Sequence, residues 1–490
     1  MPKIAKCFVR NTIGQNLEYN RKSMFIQKIA IKNFRLFPSD SDFVIDNINT
    51  PDGKNEGSGL NVFVGENGSG KTALLDSFAL PILEYKTENF GIDNFNDTSK
   101  KIEISVYSKD EFEVDGTMPK GSFKAKGFSF EAGVRSRGTK TYLSSIVVND
   151  QKFIKVDTSK PADNSPDLRV NVNNPFKGKR FSENDVLFLD KNRLFQTRSG
   201  NFNTTRFDRL MEDFSYQYLN KSSTAGIVNL NEDLDEKIKK DKVENNFLGD
   251  AVKKFEEISG SQIRLDFLDN YEPFKGAFFA TKKDNHQQIA LSNLGSGYEM
   301  IFALLYSFYL ARQSGKQLIV LIDEPELHLH PRLQEKFVSF LLEFSKSAQI
   351  ILASHSPLLV KQLSENDKVK IRVLESTGQK VSEIEKRVLP YISANETNFL
   401  AFNLATEEYH NELYEELKSV HGVSKEYKQF DNDFFVTAKS EPKNSPWKGN
   451  QNEVSIHTFI RNQIHHQKDN GKTEYNALKS SIEKMRSFFD

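Results

Sequence analysis

The sequence contains almost no cysteine, carries no net charge and has no long apolar run. A single cysteine, Cys7, among 490 residues cannot form an internal disulfide, which is typical of a reducing compartment. Basic and acidic residues balance at 67 each, so any contact with nucleic acid must come from a local patch and not from a general basic field. We find neither a signal peptide nor an apolar run of about 18 residues, so we expect a cytoplasmic protein without a membrane span.

The length predicts two or three structural units rather than one core. Residues 1–83 carry the first strands and a glycine-rich loop, and residues 84–286 form a long insertion that is first β-rich and then helical and charged. Strands and helices alternate in residues 287–389, and residues 390–490 are polar and helical. The alternation predicts an α/β fold, with a parallel or mixed sheet flanked by helices, an α+β insertion and a C-terminal helical unit.

The segment GENGSGKT follows the apolar strand LNVFV and precedes the apolar helix ALLDSFALPIL. Strand, glycine-rich turn and helix form the context of a phosphate-binding loop with the pattern G-x-x-x-x-G-K-[ST]. Its glycines allow backbone N–H groups to turn towards a polyphosphate, Lys71 is placed to reach the β- and γ-phosphates, and Thr72 is placed to hold Mg²⁺. The loop residues that we predict to bind the nucleotide are Gly65, Asn67, Gly68, Gly70, Lys71 and Thr72.

A second apolar strand, in LIVLIDEPE, ends on the carboxylates of Asp323 and Glu324. An acidic pair before proline can also begin a helix. With a phosphate loop upstream, however, Asp323 is predicted to bind Mg²⁺ together with Thr72. Glu324 and Lys71 are then predicted to be catalytic, with Glu324 polarising the water that attacks the γ-phosphate. The expected cofactors are therefore ATP and Mg²⁺, and the expected activity is ATP hydrolysis.

The series IKNFRLF, GENGSGKT, LGSGYE, DEPELHLHP and LASHSP resembles the ordered motifs of ABC-class ATPases, in the branch of SMC proteins, RecF and the overcoming-lysogenization-defect (OLD) nucleases. The resemblance implies an ABC-type ATPase head. It also implies that LGSGYE is the signature motif, in which Ser296 and Gly297 contact the γ-phosphate of ATP held by another subunit. Gly295 and Tyr298 depart from the family pattern. His355 in LASHSP resembles the family's switch histidine, which senses the γ-phosphate.

Three other residues are candidates for the nucleotide site or its surroundings. His328 and His330 alternate in ELHLHP, where the resemblance implies a loop across a dimer interface. A zinc site is not expected there, because no cysteine or carboxylate cluster accompanies the histidines. Gln196 in NRLFQTR is a candidate for the family's Q-loop glutamine, without a firm assignment.

The resemblance also implies an oligomer and a partner. Because the family's signature motif acts on a neighbour's nucleotide, one phosphate loop and one signature per chain imply a homodimer or higher homo-oligomer, with ATP as a conformational switch. Residues 366–490 lack the acidic pattern of the TOPRIM nuclease domain of OLD enzymes. The chain is thus more similar to the ATPases of two-part phage-defence systems such as Septu and PARIS, which implies a separate nuclease effector and a nucleic-acid or phage-protein trigger. A DNA-repair ATPase similar to RecF stays an alternative.

The C-terminal unit contains RNQIHH, with Arg461, His465 and His466 within six residues. This spacing resembles the motif of HEPN ribonucleases, in which arginine would stabilise the phosphorane charge and histidine would move a proton. A self-contained, ATP-gated ribonuclease is therefore the main alternative function. Two other interpretations stay open, an inactive HEPN-like unit that docks a partner and unrelated helices with a polar end.

Overall fold

The structure is a computed structural model that describes residues 25–82, 92–117, 120–134, 141–148, 151–152, 186–189, 194–196, 203–205, 247–260, 263–267, 278–282, 288–290, 296–313, 317–375, 380–447, 450–466 and 472–489. The strands are β1 (Ile26–Lys32), β2 (Phe43–Ile45), β3 (Leu60–Val64), β4 (Ile102–Thr117), β5 (Lys120–Val134), β6 (Thr141–Val148), β7 (Gln151–Lys152), β8 (Val186–Leu189), β9 (Leu194–Gln196), β10 (Asn203–Thr205), β11 (Ile263–Phe267), β12 (Phe278–Lys282), β13 (Gln288–Ala290), β14 (Leu318–Asp323), β15 (Ala348–Ala353), β16 (Lys370–Leu374), β17 (Val381–Glu383), β18 (Ser445–Trp447) and β19 (Asn450–Val454).

The α-helices are α1 (Lys71–Ile82), α2 (Phe247–Ser259), α3 (Ser296–Gln313), α4 (Pro331–Phe344), α5 (Pro357–Leu363), α6 (Ala394–Phe402), α7 (Glu407–Gly422), α8 (Tyr427–Phe430), α9 (Ile456–His465) and α10 (Tyr475–Arg486). Short 3-10 helices cover Ile92–Asn94 and Pro325–His328, and a π-helix covers Asp431–Ala438. No helix in the described ranges has both the length and the apolar character needed to cross a membrane.

The central sheet has six strands in the order β17-β16-β3-β15-β14-β8. Strands β16 to β8 run parallel to their neighbours, and β17 pairs antiparallel at one edge. Strands β3, β14 and β15 are buried along their whole length. Their nearly continuous apolar sequences follow from this, because a parallel sheet is covered on both faces. The predicted α/β head with a mixed sheet and flanking helices is confirmed.

The central strands send alternate side chains into two cores. Val62 and Ile350 face the core formed with α2, α3 and α4. The next residues along each strand, Phe63 and Ile351, face the opposite core, formed with α1 and the sheet of β1, β2, β4 and β5. Since α1 contacts strands of both sheets, it lies between them. The helix that follows the phosphate loop is therefore held on two sides.

Two segments within the predicted insertion, residues 84–286, join the sheets of the head. Strand β4 pairs antiparallel with β1, with Val106 opposite Ile29. Strand β8 pairs in parallel with β14, with Phe188 beside Leu321. Short β-like sequences do not show which sheet they will join, because strand pairing is decided by contacts between distant residues. Both strands therefore belong to sheets of the head, although they lie within residues 84–286.

The C-terminal unit has its own core, which includes Tyr409, Leu413, Phe430 and Met485. It consists of helices α6 to α10, the π-helix and the hairpin β18–β19. Helix α6 contacts β16 and α5, and Ala401 of α6 belongs to the core of the head. The unit is therefore docked directly against the head.

Candidate functional site

The carboxyl ends of β3, β14 and β15 meet at one edge of the central sheet. The phosphate loop follows β3, Asp323 ends β14, and His355 follows β15. The backbone N–H of Glu324 donates to the carbonyl of Ala353 at 2.9 Å, and that of Ser354 donates to the carbonyl of Phe63 at 3.1 Å. Neighbouring parallel strands thus bring the three motifs together, at the edge where α/β proteins bind ligands.

Glycine is required at two positions of the phosphate loop. Gly65 has φ of +147°, and a Cβ atom there would lie 2.4 Å from the carbonyl oxygen of Leu374 in β16. Gly68 has φ of +80°, in the left-handed region that side chains disfavour. Glycine at these two positions therefore lets the loop lie against β16 and turn sharply.

The ammonium of Lys71 lies inside the curve of the loop. It donates to the carbonyl oxygens of Gly65 and Glu66, each at 2.9 Å, and Lys71 is only 4% exposed. Burial lowers the pKa of Lys71 to about 8, although nearby carboxylates, Glu324 foremost, act in the opposite direction. A phosphate group would replace the carbonyl partners and stabilise the charged form.

Thr72 and Asp323 form the candidate Mg²⁺ site. Thr72 Oγ1 donates to Oδ2 of Asp323 at 2.8 Å, and Asp323 is fully buried at the end of β14. A hydroxyl and a carboxylate oxygen are the hard donors that Mg²⁺ binds, with water and phosphate oxygens completing its shell. The residues present therefore fit the ion.

Glu324 and His355 form a pair next to this site. His355 Nε2 lies 3.2 Å from Oε1 of Glu324, with the two side chains 28% and 17% exposed. Glu324 adopts φ 47° and ψ 59°, a left-handed conformation that is uncommon for residues with a side chain. Water can thus reach the carboxylate, which the imidazole contacts.

Sequence reasoning missed Glu326, which lies in the 3-10 helix after Glu324. Its Oε1 accepts hydrogen bonds from Ser354 Oγ at 3.0 Å and from the backbone N–H of His355 at 2.5 Å. Burial raises the pKa of Glu326, and the bonds from His355 and Ser354 oppose that rise. The signal that could have found it is the extra acidic residue in DEPE, two positions after Glu324.

The candidate signature residues lie at the start of α3. Ser296 begins the helix and Gly297 follows in its first turn, whereas Gly295 lies outside the described residues. The ring of Tyr298 packs edge to face on Phe255 of α2, with centroids 6.0 Å apart. The departure from the family pattern at Tyr298 therefore serves packing between two helices of the head.

The remaining nucleotide-site candidates have separate placements. His330 caps the N-terminus of α4, where Nδ1 accepts the N–H of Arg332 at 3.3 Å. The side chains of His328 and Gln196 lie outside the described part of the structure. Among the described residues, no group of three or more His, Cys, Asp or Glu side chains is placed to hold a metal ion.

Arg461 of the RNQIHH segment is packed in the C-terminal unit. Its guanidinium lies 3.7 Å from the ring centroid of Tyr427 and 3.4 Å from a carboxylate oxygen of Glu415. His465 ends α9, and burial together with Arg461 lowers its pKa; His466 is the C-cap. These contacts give Arg461 a structural role, and catalysis by the three residues stays a prediction.

The sequence matches a known family over most of the head. The family model AAA_21 matches residues 60–361. Its description reads AAA domain, AbiEii toxin, Type IV TA system. The chain belongs to this family. As an AAA_21 protein it is an ATPase, and the predicted resemblance to the OLD and Septu proteins is confirmed.

Three curated proteins are similar to this AAA_21 chain. The OLD nuclease of Thermus scotoductus is 25% identical over 358 residues, which cover 68% of this chain and 59% of that protein. Protein ea59 of Escherichia phage lambda is 29% identical over 134 residues (26% of this chain, 24% of that protein), and Septu protein PtuA of Bacillus thuringiensis is 33% identical over 66 residues (14% and 17%). The chain therefore spans less than two thirds of the length of each relative.

Solved SMC structures are also similar. The SMC head domain with an extended coiled coil, bound to the C-terminal domain of ScpA from Pyrococcus furiosus, has a TM-score of 0.43 at 16% identity, covering 74% of this chain and 96% of that one. The SMC head domain from Thermotoga maritima has a TM-score of 0.36 at 13% identity, covering 74% of this chain and all of that one.

Proposed function

We propose that this ATPase is the homo-oligomeric sensor of a phage-defence system, in which ATP and Mg²⁺ bound between two heads control a separate nuclease effector. The observation that carries the nucleotide chemistry is the meeting of two pairs, Thr72 with Asp323 and Glu324 with His355, at one edge of the sheet. The first pair includes Thr72, the last residue of the phosphate loop, and Glu324 of the second pair opposes the lowering of the Lys71 pKa by burial in that loop.

Each residue has a distinct role in hydrolysis. Lys71 neutralises charge on the β- and γ-phosphates, and Thr72 and Asp323 hold Mg²⁺, which when bound draws charge from the phosphate oxygens. Glu324 orients and polarises the attacking water, since its carboxylate is partly exposed beside the loop. His355 contacts Glu324 and is placed to report the presence of the γ-phosphate.

The surface around the site supports assembly with a second copy. Three leucines near the site are exposed, with Leu36 at 43%, Leu327 at 60% and Leu358 at 40%. Contiguous apolar patches mark interaction surfaces, and these leucines are the apolar side chains that such a patch beside the site would use. A second head docked here would bring its Ser296 and Gly297 to the nucleotide of the first, as the resemblance implies.

The defence role rests on the relatives. One is named an OLD nuclease and another a Septu protein, and this chain aligns with both. Residues 366–490 lack the acidic pattern of a TOPRIM domain. A separate nuclease effector, released or activated when a nucleic-acid or phage-protein trigger changes the ATP state, therefore suits this chain best.

The nucleotide part of the proposal is tested with the purified chain, by ATP turnover and by light scattering with and without ATP and Mg²⁺. We expect turnover, and a dimer or larger oligomer that Glu324→Gln stabilises with ATP. Absence of turnover would contradict the proposed nucleotide mechanism.

The defence part is tested by phage plating on cells that express the chain with and without a neighbouring nuclease gene. Protection that needs both genes supports the proposal, and equal plating in all strains contradicts it.

A further inference from the structure

The loop that carries His355 is tied to the segment that follows Asp323. Glu326 Oε1 accepts both the hydroxyl of Ser354 at 3.0 Å and the N–H of His355 at 2.5 Å. The second bond is to the backbone of the same residue whose imidazole contacts Glu324. Glu326 lies two residues beyond Glu324, and one of its carboxylate oxygens thus sets the position of the His355 backbone.

A second contact fixes the far side of the same loop. Ser356 donates its backbone N–H to Ser354 Oγ at 3.0 Å, and its own hydroxyl lies 3.4 Å from Oε1 of Gln334 in α4. Gln334 in turn donates to the carbonyl of Leu329 at 3.2 Å. The loop is therefore held at Ser354, His355 and Ser356 by side chains from the segment that leads out of β14.

We propose that Glu326 is a positioning residue for ATP hydrolysis, whose carboxylate holds the His355 loop so that the imidazole reaches Glu324. This inference rests on the proposed function of Glu324 and His355. The side-chain hydrogen bonds of Glu326 go to Ser354 and His355, so it acts through His355. Glu326 thus links the end of β14, which leads to Glu324, with the end of β15, which leads to His355.

The geometry explains why a carboxylate suits this position. A single carboxylate oxygen accepts both the hydroxyl of Ser354 and the N–H of His355, and an apolar side chain of similar size could accept neither. Charged acceptors form stronger hydrogen bonds than neutral ones, especially away from water. Displacement of a catalytic group by about 1 Å can lower a rate by about 100-fold, so a modest release of the loop would be visible in turnover.

The central test is a double-mutant cycle on kcat with Glu326→Ala, His355→Ala and the combined variant, alongside the ATP dissociation constant. We expect Glu326→Ala to lower kcat by about 10- to 100-fold, with ATP binding changed by less than about twofold. In the His355→Ala background the same change should cost less than about twofold, because the group through which Glu326 acts is already absent. Equal fold losses in both backgrounds would overturn the inference.

Two conservative variants separate positioning from loss of fold. Glu326→Gln keeps an oxygen acceptor in place and should retain more turnover than Glu326→Ala, while Ser354→Ala removes one of the two donors and should lower kcat by about fivefold. Glu335→Ala, at an exposed position of α4, serves as the matched control and should behave as wild type. If Glu326→Ala does not fold, wild-type turnover in both Glu326→Gln and Ser354→Ala would overturn the proposal.

Failure of this inference is distinguishable from failure of the proposed function. A wild-type chain without ATP turnover would remove the function on which the inference rests. A wild-type chain that hydrolyses ATP, with a Glu326→Ala variant of equal kcat, would remove the inference alone.

Discussion

The hydroxyl of Thr72 donates a 2.8 Å hydrogen bond to the carboxylate of Asp323, a residue 251 positions further along the chain. Thr72 lies at the start of α1, whereas Asp323 ends β14. The bond exists because α1 packs against β14 and β15. It aligns the two oxygens that Mg²⁺ would share.

Removal of the Thr72 hydroxyl should impair the use of Mg²⁺. We expect Thr72→Val to lower ATP turnover by about 100-fold and to raise the Mg²⁺ concentration needed for half-maximal rate, whereas Thr72→Ser should stay close to wild type. A Mg²⁺ titration of turnover, with EDTA as the zero point, measures both effects. An unchanged Mg²⁺ requirement in Thr72→Val would contradict the assignment.

Substitution of the candidate base should separate binding from hydrolysis. Glu324→Gln is expected to bind ATP normally and to lose about 100-fold or more in turnover, because the amide cannot accept the proton of the attacking water. Radiolabelled ATP retention and phosphate release measure the two quantities. Glu335→Gln is the exposed control, and wild-type phosphate release by Glu324→Gln would disprove the assignment.

The affinity for ATP should fall at alkaline pH. Burial places the pKa of Lys71 at about 8 in the free protein. Bound phosphate favours the charged ammonium, so binding must take up a proton above that pH. We expect affinity to be constant below about pH 8 and to weaken by up to about tenfold per pH unit above it. Calorimetric titrations measure this; Lys71→Arg should show a flat profile and Lys71→Ala no binding.

Acid should destabilise the C-terminal unit through two buried histidines. His457 Nδ1 and His410 Nε2 lie 2.7 and 2.9 Å from the hydroxyl of Ser481. Burial lowers the pKa of His457 to about 4 and that of His410 well below its usual value. The unfolded chain therefore binds protons below about pH 6.5 that the folded chain excludes, and stability falls as the pH drops from about 6.5 towards 4.

At about pH 5, His457 alone should cost about 2 kcal/mol in the free energy of unfolding. Urea unfolding followed from about pH 7.5 to pH 5 measures the loss. His457→Gln, which does not titrate, should show a smaller dependence on pH. Equal slopes in the two proteins would show that His457 is not the group responsible.

Arg461 should contribute to the stability of the C-terminal unit. Its stacking on Tyr427 predicts that Arg461→Ala lowers the free energy of unfolding by about 1 kcal/mol, while Arg461→Lys retains part of that contact. The ribonuclease alternative is tested with the same protein, ATP, Mg²⁺ and RNA. RNA cleavage that disappears in a His465→Ala/His466→Ala variant would favour a self-contained ribonuclease over a separate effector.

Much of the head could be predicted because its signals are local. The strand, glycine turn and helix around Lys71 occupy adjacent residues, and the apolar strand before Asp323 is continuous. The bonding of Glu326 could not be predicted, because its partners follow a different strand and only the pairing of β14 with β15 brings them near. The packing of Arg461 on Tyr427 likewise depends on how α8 and α9 fold together.

The sequence by itself determined the class of fold, the phosphate loop and the kinds of side chain available for ATP and Mg²⁺, since backbone conformation, apolar periodicity and side-chain chemistry are properties of neighbouring residues. Only the tertiary structure decided that β4 and β8 join the sheets of the head, that Glu326 holds the His355 loop, and that Arg461 is packed against an aromatic ring. These depend on contacts between residues far apart in sequence, which form only when the helices and strands pack together.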